Sequence, residues 1–342
     1  MRDGTMMILN GSEVQSLLSE QENEIIEVVR RAYEAHNEGK SSLPHSTFLR
    51  FPDDQMNRII ALPAYLGGGF GEAGVKWVSS FPGNLEKGID RASAVIILNS
   101  VTTGRPHAIL EGSIISAKRT AASAALAARS LHTDKKVKSV GLIGCGPINF
   151  EIQRFLLKVF PSIKTLYLYD LKAERAEQFK QVCKKAFEQI AAEVVTDINT
   201  LMGASTLISI ATTATEPYIS DVSSLAPGST VLHISLRDLA PEVILSCDNV
   251  VDDADHVCRA QTSVHLAKQR TGTREFIRCS LADVTSGAAP ARKDANITTV
   301  FSPFGLGVLD IAVSELAYTT AIRLNKGTLI ESFLPGPWTE RI

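Results

Sequence analysis

From Val137 onward the chain alternates short apolar runs with amphipathic stretches, and this rhythm limits the fold more than any other feature. VKSVGLIG, KTLYLYD, EVVTD, STLISIAT, GSTVLHIS and NVVDD read as strands. NFEIQRFLLKVF, residues 172–192 and a turn near 198–203 read as the helices between them. Strands and helices in this alternation form βαβ units, which lay the strands parallel and bury both faces of the sheet.

The first strand-to-helix junction carries the sharpest motif, Gly141-Leu-Ile-Gly144-Cys-Gly146-Pro147-Ile148-Asn149. Gly144 permits a tight turn, and Gly146 lets backbone approach a diphosphate. The helix N-terminus adds unpaired N–H groups and a positive dipole end. Pro147 suits the first helical position, where its missing N–H costs nothing. Asn149 stands where a third glycine is usual, which predicts a slightly wider helix-to-strand separation. The next strand ends in Asp170, 26 residues after Gly144. A carboxylate there accepts from adenosine ribose hydroxyls and repels a 2′-phosphate, favouring NAD over NADP. Lys172 and Arg175 lie close enough to oppose that preference. The expectation is a Rossmann-type NAD-binding domain.

The preceding segment has another texture. Residues 13–38 carry apolar positions at helical spacing. STFLRF, RIIALPAYL, GVKWVSSF, SAVIILNS and RPHAILEG then read as strands punctuated by PDD, GGG, PGN and TTGR turns. Ala117–Leu131 forms an alanine-rich helix, and the helical tail Gly305–Leu324 is positioned to pack back on the first domain. We therefore expect residues 1–122 and 312–342 to form one discontinuous α/β domain completed by the C-terminal helix. Residues 123–311 form the Rossmann domain, with 286–296 a surface loop. The edges of the strand-rich first domain favour a homodimer, since a symmetric partner covers them.

Composition removes several classes of function. The 342 residues carry 35 Lys and Arg against 37 Asp and Glu, a net charge of −2 that gives no basis for nucleic-acid binding. The cluster Lys135, Lys136 and Lys138 reads as a solvated loop. No run approaches the roughly 18 apolar residues of a membrane span, and the first residues lack a secretory pattern. Five scattered cysteines and seven histidines show neither CxxC nor HxxxH spacing, so no disulfide framework and no metal site is expected. A cytoplasmic enzyme of a small polar substrate is the expectation.

Oxidising an amino acid requires a held carboxylate and a moved proton. Arg50 and Lys76, on strands of the first domain, suit the first task. If Val75 and Trp77 face the core, alternation turns Lys76 to a solvent cleft, where it binds substrate or is a plain surface lysine. Asp238 follows the strand GSTVLHIS at the edge where ligands bind in open α/β sheets, as a general acid or base or as a loop cap. Arg119 clamps a substrate carboxylate or cofactor phosphate, or forms an interdomain salt bridge. His45, His107 and His233 read as structural.

These features together resemble the ornithine cyclodeaminase/μ-crystallin family of NAD(P)-dependent enzymes. The match rests on GVKW, TGRPHAILEGSIISAKRTAA, GLIGCGPIN, LYLYD, Asp238 after its strand and FGLGVLDIA. The resemblance implies that the first domain is an α/β substrate-binding and dimerisation domain completed by the C-terminal helix. It also implies that Arg50 and Lys76 bind substrate, that Arg119 touches cofactor or substrate, and that Asp238 is the catalytic acid/base. KWVSSFPGNLEKGIDRASAVIILN and HISLRDLAPEVILSCDNVVDDADHVCRAQTSVHLA look closest to one branch of the family. These are the dehydrogenases of N-(2-amino-2-carboxyethyl)-L-glutamate, which release 2,3-diaminopropionate for siderophores or peptide antibiotics. Cyclodeaminases usually carry a glycine-containing stretch before the acid, where this chain has Ser235-Leu236-Arg237. Arg91 or Arg237 would suit the tricarboxylate substrate of that branch. The expected catalytic pair is Asp238 and Lys76. The expected substrate contacts are Arg50, Lys76, Arg119, Arg91 and Phe304. The expected NAD contacts are Gly144, Gly146, Pro147, Ile148, Asn149, Asp170, Thr212, Ser235 and Arg119. Ornithine cyclodeamination, an alanine- or arginine-type dehydrogenase, an imine reductase and a non-catalytic NAD(P)-dependent binding protein are the alternatives. Should Asp238 not be the base, Asp252 or Asp253 is next.

Overall fold

The computed structural model describes residues 4–341, apart from the side chains of Gln55 and Glu340. Strand β1 (Met6–Leu9) and helices α1 (Gly11–Leu17) and α2 (Glu22–Asn37) come first. They are followed by β2 (Ser41–Ser42), β3 (Thr47–Phe51), β4 (Asp54–Leu66), β5 (Glu72–Ser80), β6 (Ala92–Ser100), β7 (Pro106–Glu111) and helix α3 (Ser113–Leu131). Next come β8 (Ser139–Ile143), α4 (Pro147–Val159), β9 (Thr165–Tyr169), α5 (Ala173–Ala186), β10 (Ala191–Val194), α6 (Ile198–Ala204), β11 (Leu207–Ile210) and β12 (Thr230–His233). Then follow α7 (Pro241–Ser246), β13 (Asp248–Val251), α8 (Ala254–Val257), α9 (Ser263–Thr271), β14 (Ile277–Ser280), α10 (Leu281–Thr285) and β15 (Thr299–Ser302). Helix α11 (Gly307–Leu324) and strand β16 (Thr328–Ile330) end the series. The chain divides into two compact units, Met1–Arg119 with Leu306–Ile342, and Thr120–Gly305.

In the second unit eight parallel strands run in the order β10-β9-β8-β11-β12-β15-β13-β14. Strands β11, β12, β13 and β15 are buried along their whole length, as expected of a sheet covered on both faces. Chain direction across the sheet reverses between β8 and β11, the place where open α/β sheets leave a crevice at the carboxyl ends of their strands. The Gly144 turn stands there. Gly144 has φ +91°, and a Cβ on it would lie 2.4 Å from the Ala211 carbonyl oxygen, so only glycine fits. Asn149, fully buried, takes the space of the third glycine and uses it. Its Nδ2 donates to the carbonyls of Ile143 (2.9 Å) and Gly144 (2.7 Å), and its Oδ1 accepts from Ser209 Oγ (2.7 Å).

The first unit holds the order β16-β1-β7-β6-β5-β4-β2, with β3 also paired to β4. All pairings are antiparallel except β1 with β7. Helix α11 packs on β4, β5, β6 and α2. It is apolar around most of its circumference, the composition of a helix without a solvent face. Among the described residues no helix is long and apolar enough to cross a membrane.

Several short elements were not expected from the sequence: β1, β14, β15 and β16. The helix expected over 172–192 ends at Ala186, because Phe187 leaves it to pack at 5.4 Å on the Phe150 ring. The loop expected at 286–296 is anchored through Arg292, which is only 8% exposed. Its guanidinium donates to the carbonyls of Leu131, Ser229 and Ile297 and to Thr230 Oγ1.

Asn149→Ala removes three buried hydrogen bonds and leaves the Ser209 hydroxyl without its acceptor. It should lower the unfolding free energy by about 2–4 kcal/mol, at roughly 1 kcal/mol per bond plus the penalty of an unsatisfied buried group. Urea denaturation measures this, and a change below about 0.5 kcal/mol would show that the side chain merely fills space.

Candidate active site residues in the two units

In the first unit, register decides which way Lys76 points. Lys76 pairs with Leu62 on β4 and Ile96 on β6, which places it on the face covered by α11. Lys76 is 3% exposed and Trp77 is 40% exposed. The solvent-cleft expectation is therefore reversed, with the lysine inside and the tryptophan out. Lys76 Nζ donates to Asp310 Oδ2 at 2.7 Å and to Ser116 Oγ at 3.1 Å. Arg119 Nε donates to the other oxygen of the same carboxylate, Asp310 Oδ1, at 3.0 Å. The Arg119 ion pair lies within the first unit and is not an interdomain bridge. Two cations share one buried carboxylate, so the group carries an excess positive charge. Burial pushes the Lys76 ammonium down; Asp310 pulls it back up, Arg119 pushes it down further, and the result is about 8.

Arg50 and Arg91 do not join this group. Arg50 is exposed on β3, with its guanidinium 5.5 Å from the Phe48 ring. Arg91, just before β6, donates from Nη1 to Ser80 Oγ at 2.9 Å.

In the second unit the turn before α4 is built to receive an anion. Gly146 is the N-cap, and no side chain caps the helix, so its first N–H groups are left for a ligand. A Cβ on Gly146 would meet only Arg175 Nη2, at 3.5 Å. Pro147 is exposed and Ile148 half-buried. Asp170 stands beside the turn, its Oδ2 accepting from Cys145 N at 2.8 Å and its Oδ1 from Lys172 N at 3.0 Å. Arg175 Nε donates to the Cys145 carbonyl at 3.1 Å and lies 3.9 Å from Asp170 Oδ2. Its charge is thus partly answered by Asp170. An open helix N-terminus, a side-chain-free approach and a flanking carboxylate fit a dinucleotide.

Asp238 lies past the end of β12, fully buried. Thr212 Oγ1 donates to its Oδ1 and Ser235 Oγ to its Oδ2. Both hydroxyls, expected at the cofactor, are engaged with the carboxylate. His233 Nε2 lies 3.3 Å from Asp238 Oδ2 and 3.2 Å from the Asp238 backbone N–H, while its Nδ1 is 3.2 Å from Ser302 Oγ. A neutral ring with the proton on Nδ1 accepts the N–H, and a protonated ring donates to the carboxylate. Burial pushes the Asp238 carboxyl up, but the His233 ring, Ser235 and Thr212 outweigh it and hold the group below its ordinary value. Asp238 is therefore an anion at neutral pH, the form needed to accept a proton. Tyr218, partly exposed beside it, is pushed up by burial and by that negative charge.

The chain before Asp238 turns through Leu236, which has φ +70° and a side chain buried in the second unit's core. Arg237 donates to the Ala260 carbonyl at 2.7 Å. The two alternative acids are occupied elsewhere. Asp252 accepts from the backbone N–H groups of Asp253, Phe304 and Gly305, and Asp253 caps α8. Phe304 fixes its backbone on Asp252 and sets its ring 6.0 Å from His256.

The profile of the ornithine cyclodeaminase/mu-crystallin family matches residues 5–324. The chain belongs to that family. It is 28% identical to the N-((2S)-2-amino-2-carboxyethyl)-L-glutamate dehydrogenase of Staphylococcus aureus, over 96% of this chain and 99% of the relative. Among solved structures it resembles the Thermococcus litoralis Δ1-pyrroline-2-carboxylate reductase in complex with NADH and L-proline. That match has a TM-score of 0.88 and 27% identity, covering 94% of this chain and 99% of the other. An archaeal alanine dehydrogenase dimer with bound NAD matches at TM-score 0.85 and 27% identity, over 96% and 99% of the two chains.

Sequence reasoning on this family member missed Asp310 and His233. Asp310 is the one acid inside the apolar run FGLGVLDIAV, a lone charge that signals a buried partner. His233 lies five residues before Asp238 and was read as structural.

Protonated Lys76 is what leaves the Asp310 group positive, so binding of a substrate carboxylate should weaken as pH rises through about 8. Asp310 raises the Lys76 pKa and Arg119 lowers it. In kcat/KM profiles, Asp310→Asn should therefore move the alkaline limb to lower pH and Arg119→Gln to higher pH. An alkaline limb that ignores both substitutions assigns the ionisation to another group.

Proposed function

We propose that the protein is an NAD-dependent oxidoreductase of a CH–NH bond in an amino-acid derivative, with N-(2-amino-2-carboxyethyl)-L-glutamate as its substrate. The observation that carries the reading is the excess cation at Asp310, a buried group that is short of one negative charge and takes a substrate carboxylate. Gly144, Gly146 and the N–H groups of α4 would hold the diphosphate of NAD, and Asp170 its ribose. Bound there, NAD supplies the hydride acceptor for the glutamate Cα. Lys76 and Arg119 hold a carboxylate, and Arg50 binds substrate from β3. Asp238 accepts a proton from the water that adds to the resulting substrate imine. Collapse then gives 2-oxoglutarate and 2,3-diaminopropionate, with one water consumed and one NADH and one proton formed. The staphylococcal dehydrogenase of this adduct and the alanine dehydrogenase of Archaeoglobus fulgidus are both 28% identical to this chain. The adduct is therefore preferred on the stretches around Lys76 and Asp238 that look closest to its branch, and alanine is the second reading. A cytoplasmic homodimer serving siderophore or peptide natural-product synthesis is the setting this reading implies.

A panel of amino acids followed at the NADH absorbance tests it. NADH formed from the glutamate adduct, with 2-oxoglutarate as co-product, supports the proposal. Proline from ornithine without net NADH, or turnover of alanine alone, replaces it.

Two substitutions divide the labour. Asp238→Asn keeps the shape but removes the base, so kcat should fall by about 10²–10⁴-fold while NAD affinity barely changes. Near-normal turnover in that variant removes Asp238 from the reaction. Asp170→Ser should erode the preference for NAD over NADP, and a wild-type enzyme that already favours NADP in kcat/KM contradicts the role given to Asp170.

A further inference from the structure

On the face of the first sheet that carries Lys76, a second group of cations lies near the far end of β5. Directly paired residues of antiparallel strands share a face. Arg50 pairs with Arg58, Arg58 with Ser80, and Leu62 with Lys76. Arg58 and Leu62 are four residues apart, as are Ser80 and Lys76, so Arg50, Arg58, Ser80 and Lys76 all share that face. Arg91 joins them through its bond to Ser80 Oγ.

Neither Arg58 nor Arg91 is fully exposed, and neither meets a carboxylate among the described residues. Each guanidinium is pushed down, first by burial and then by a neighbouring arginine: Arg50 acts on Arg58, and Arg58 on Arg91. Half-buried like charges side by side disfavour one another, and an anion placed between them relieves this. The planar fork of each arginine matches a carboxylate in shape. Arg91 is held by a neutral serine hydroxyl, which fixes the side chain without consuming its charge.

We propose that Arg58 and Arg91 form a second carboxylate site, which selects substrates bearing an acid group on the side chain in addition to the α-carboxylate. Ser80 lies four residues, about 13 Å, along β5 from Lys76. Long arginine side chains shorten that span to one bridged by a glutamate-like skeleton and not by alanine. The inference rests on the reading of the protein as an amino-acid oxidoreductase and names the class of substrate that reading requires.

Calorimetric binding of 2-oxoglutarate and of pyruvate to the NADH-bound protein tests the site, because the two share an oxo-acid end and differ by the second carboxylate. The wild-type protein should favour 2-oxoglutarate by about ten- to a hundredfold, the scale of one charge-assisted pair. In Arg58→Gln and in Arg91→Gln the ratio of the two affinities should collapse toward one, and Arg58→Lys should restore part of it. A ratio is insensitive to the fraction of folded protein, so a poorly folding variant does not imitate the effect. No preference in the wild type, or a preference that survives both glutamine variants, overturns the inference. If the preference is present and arginine-dependent but no amino acid yields NADH, the anion site stands and the proposed reaction fails.

Discussion

Asp310 brings a negative charge into an otherwise apolar helix, and much of the first unit's arrangement follows from how that charge is satisfied. One oxygen takes Lys76 from β5 and the other takes Arg119 from α3, so a single carboxylate ties the C-terminal helix to two elements far back in the chain. A lone ion in such a place is strongly unfavourable, and removing one partner of a buried pair typically costs about 3–5 kcal/mol. The return of the C-terminal segment is thereby fixed in register as well as in position. Two cations for one anion is an imbalance that apolar packing does not require, and it leaves the group with a net positive charge.

The second unit meets an analogous problem with the opposite sign. Asp238 is buried without a full cationic partner, and two hydroxyls and an imidazole share the work of stabilising it. All of these donors stand at or past the carboxyl ends of β11 and β12, next to the reversal in strand order where the Gly144 turn also lies. Sheet topology thus collects the Gly144 turn and the buried Asp238 carboxylate on one edge. Asn149, replacing a glycine, stiffens the same edge from beneath.

The parts legible in the sequence were those governed by local chemistry. GLIGCGPIN announces a tight turn and an open helix end, and Asp238 is suggested by the strand it follows. Alternation along GVKWVSS establishes that Lys76 and Trp77 face opposite ways but not which of them is inside. That choice depends on Asp310, which lies 234 positions away. Strands such as Ile277–Ser280 and Thr299–Ser302 are four residues long, too short for alternation to be read, so only the sheet identifies them. His233 could not be distinguished from a structural histidine, because its partner lies across a turn whose geometry comes from an unusual residue.

That residue, Leu236, ties the chemistry to the interior. A left-handed backbone is disfavoured for leucine by about 1–2 kcal/mol, and burial of its side chain contributes roughly 1.5–3 kcal/mol in return. The turn survives because Leu236 sits in the cluster with Val243, Ile244 and Val264. Two residues later comes Asp238, so the aim of the carboxylate is set by how well that core is packed. Packing and the aim of Asp238 are consequently coupled: a methylene gained or lost among those apolar residues acts on both.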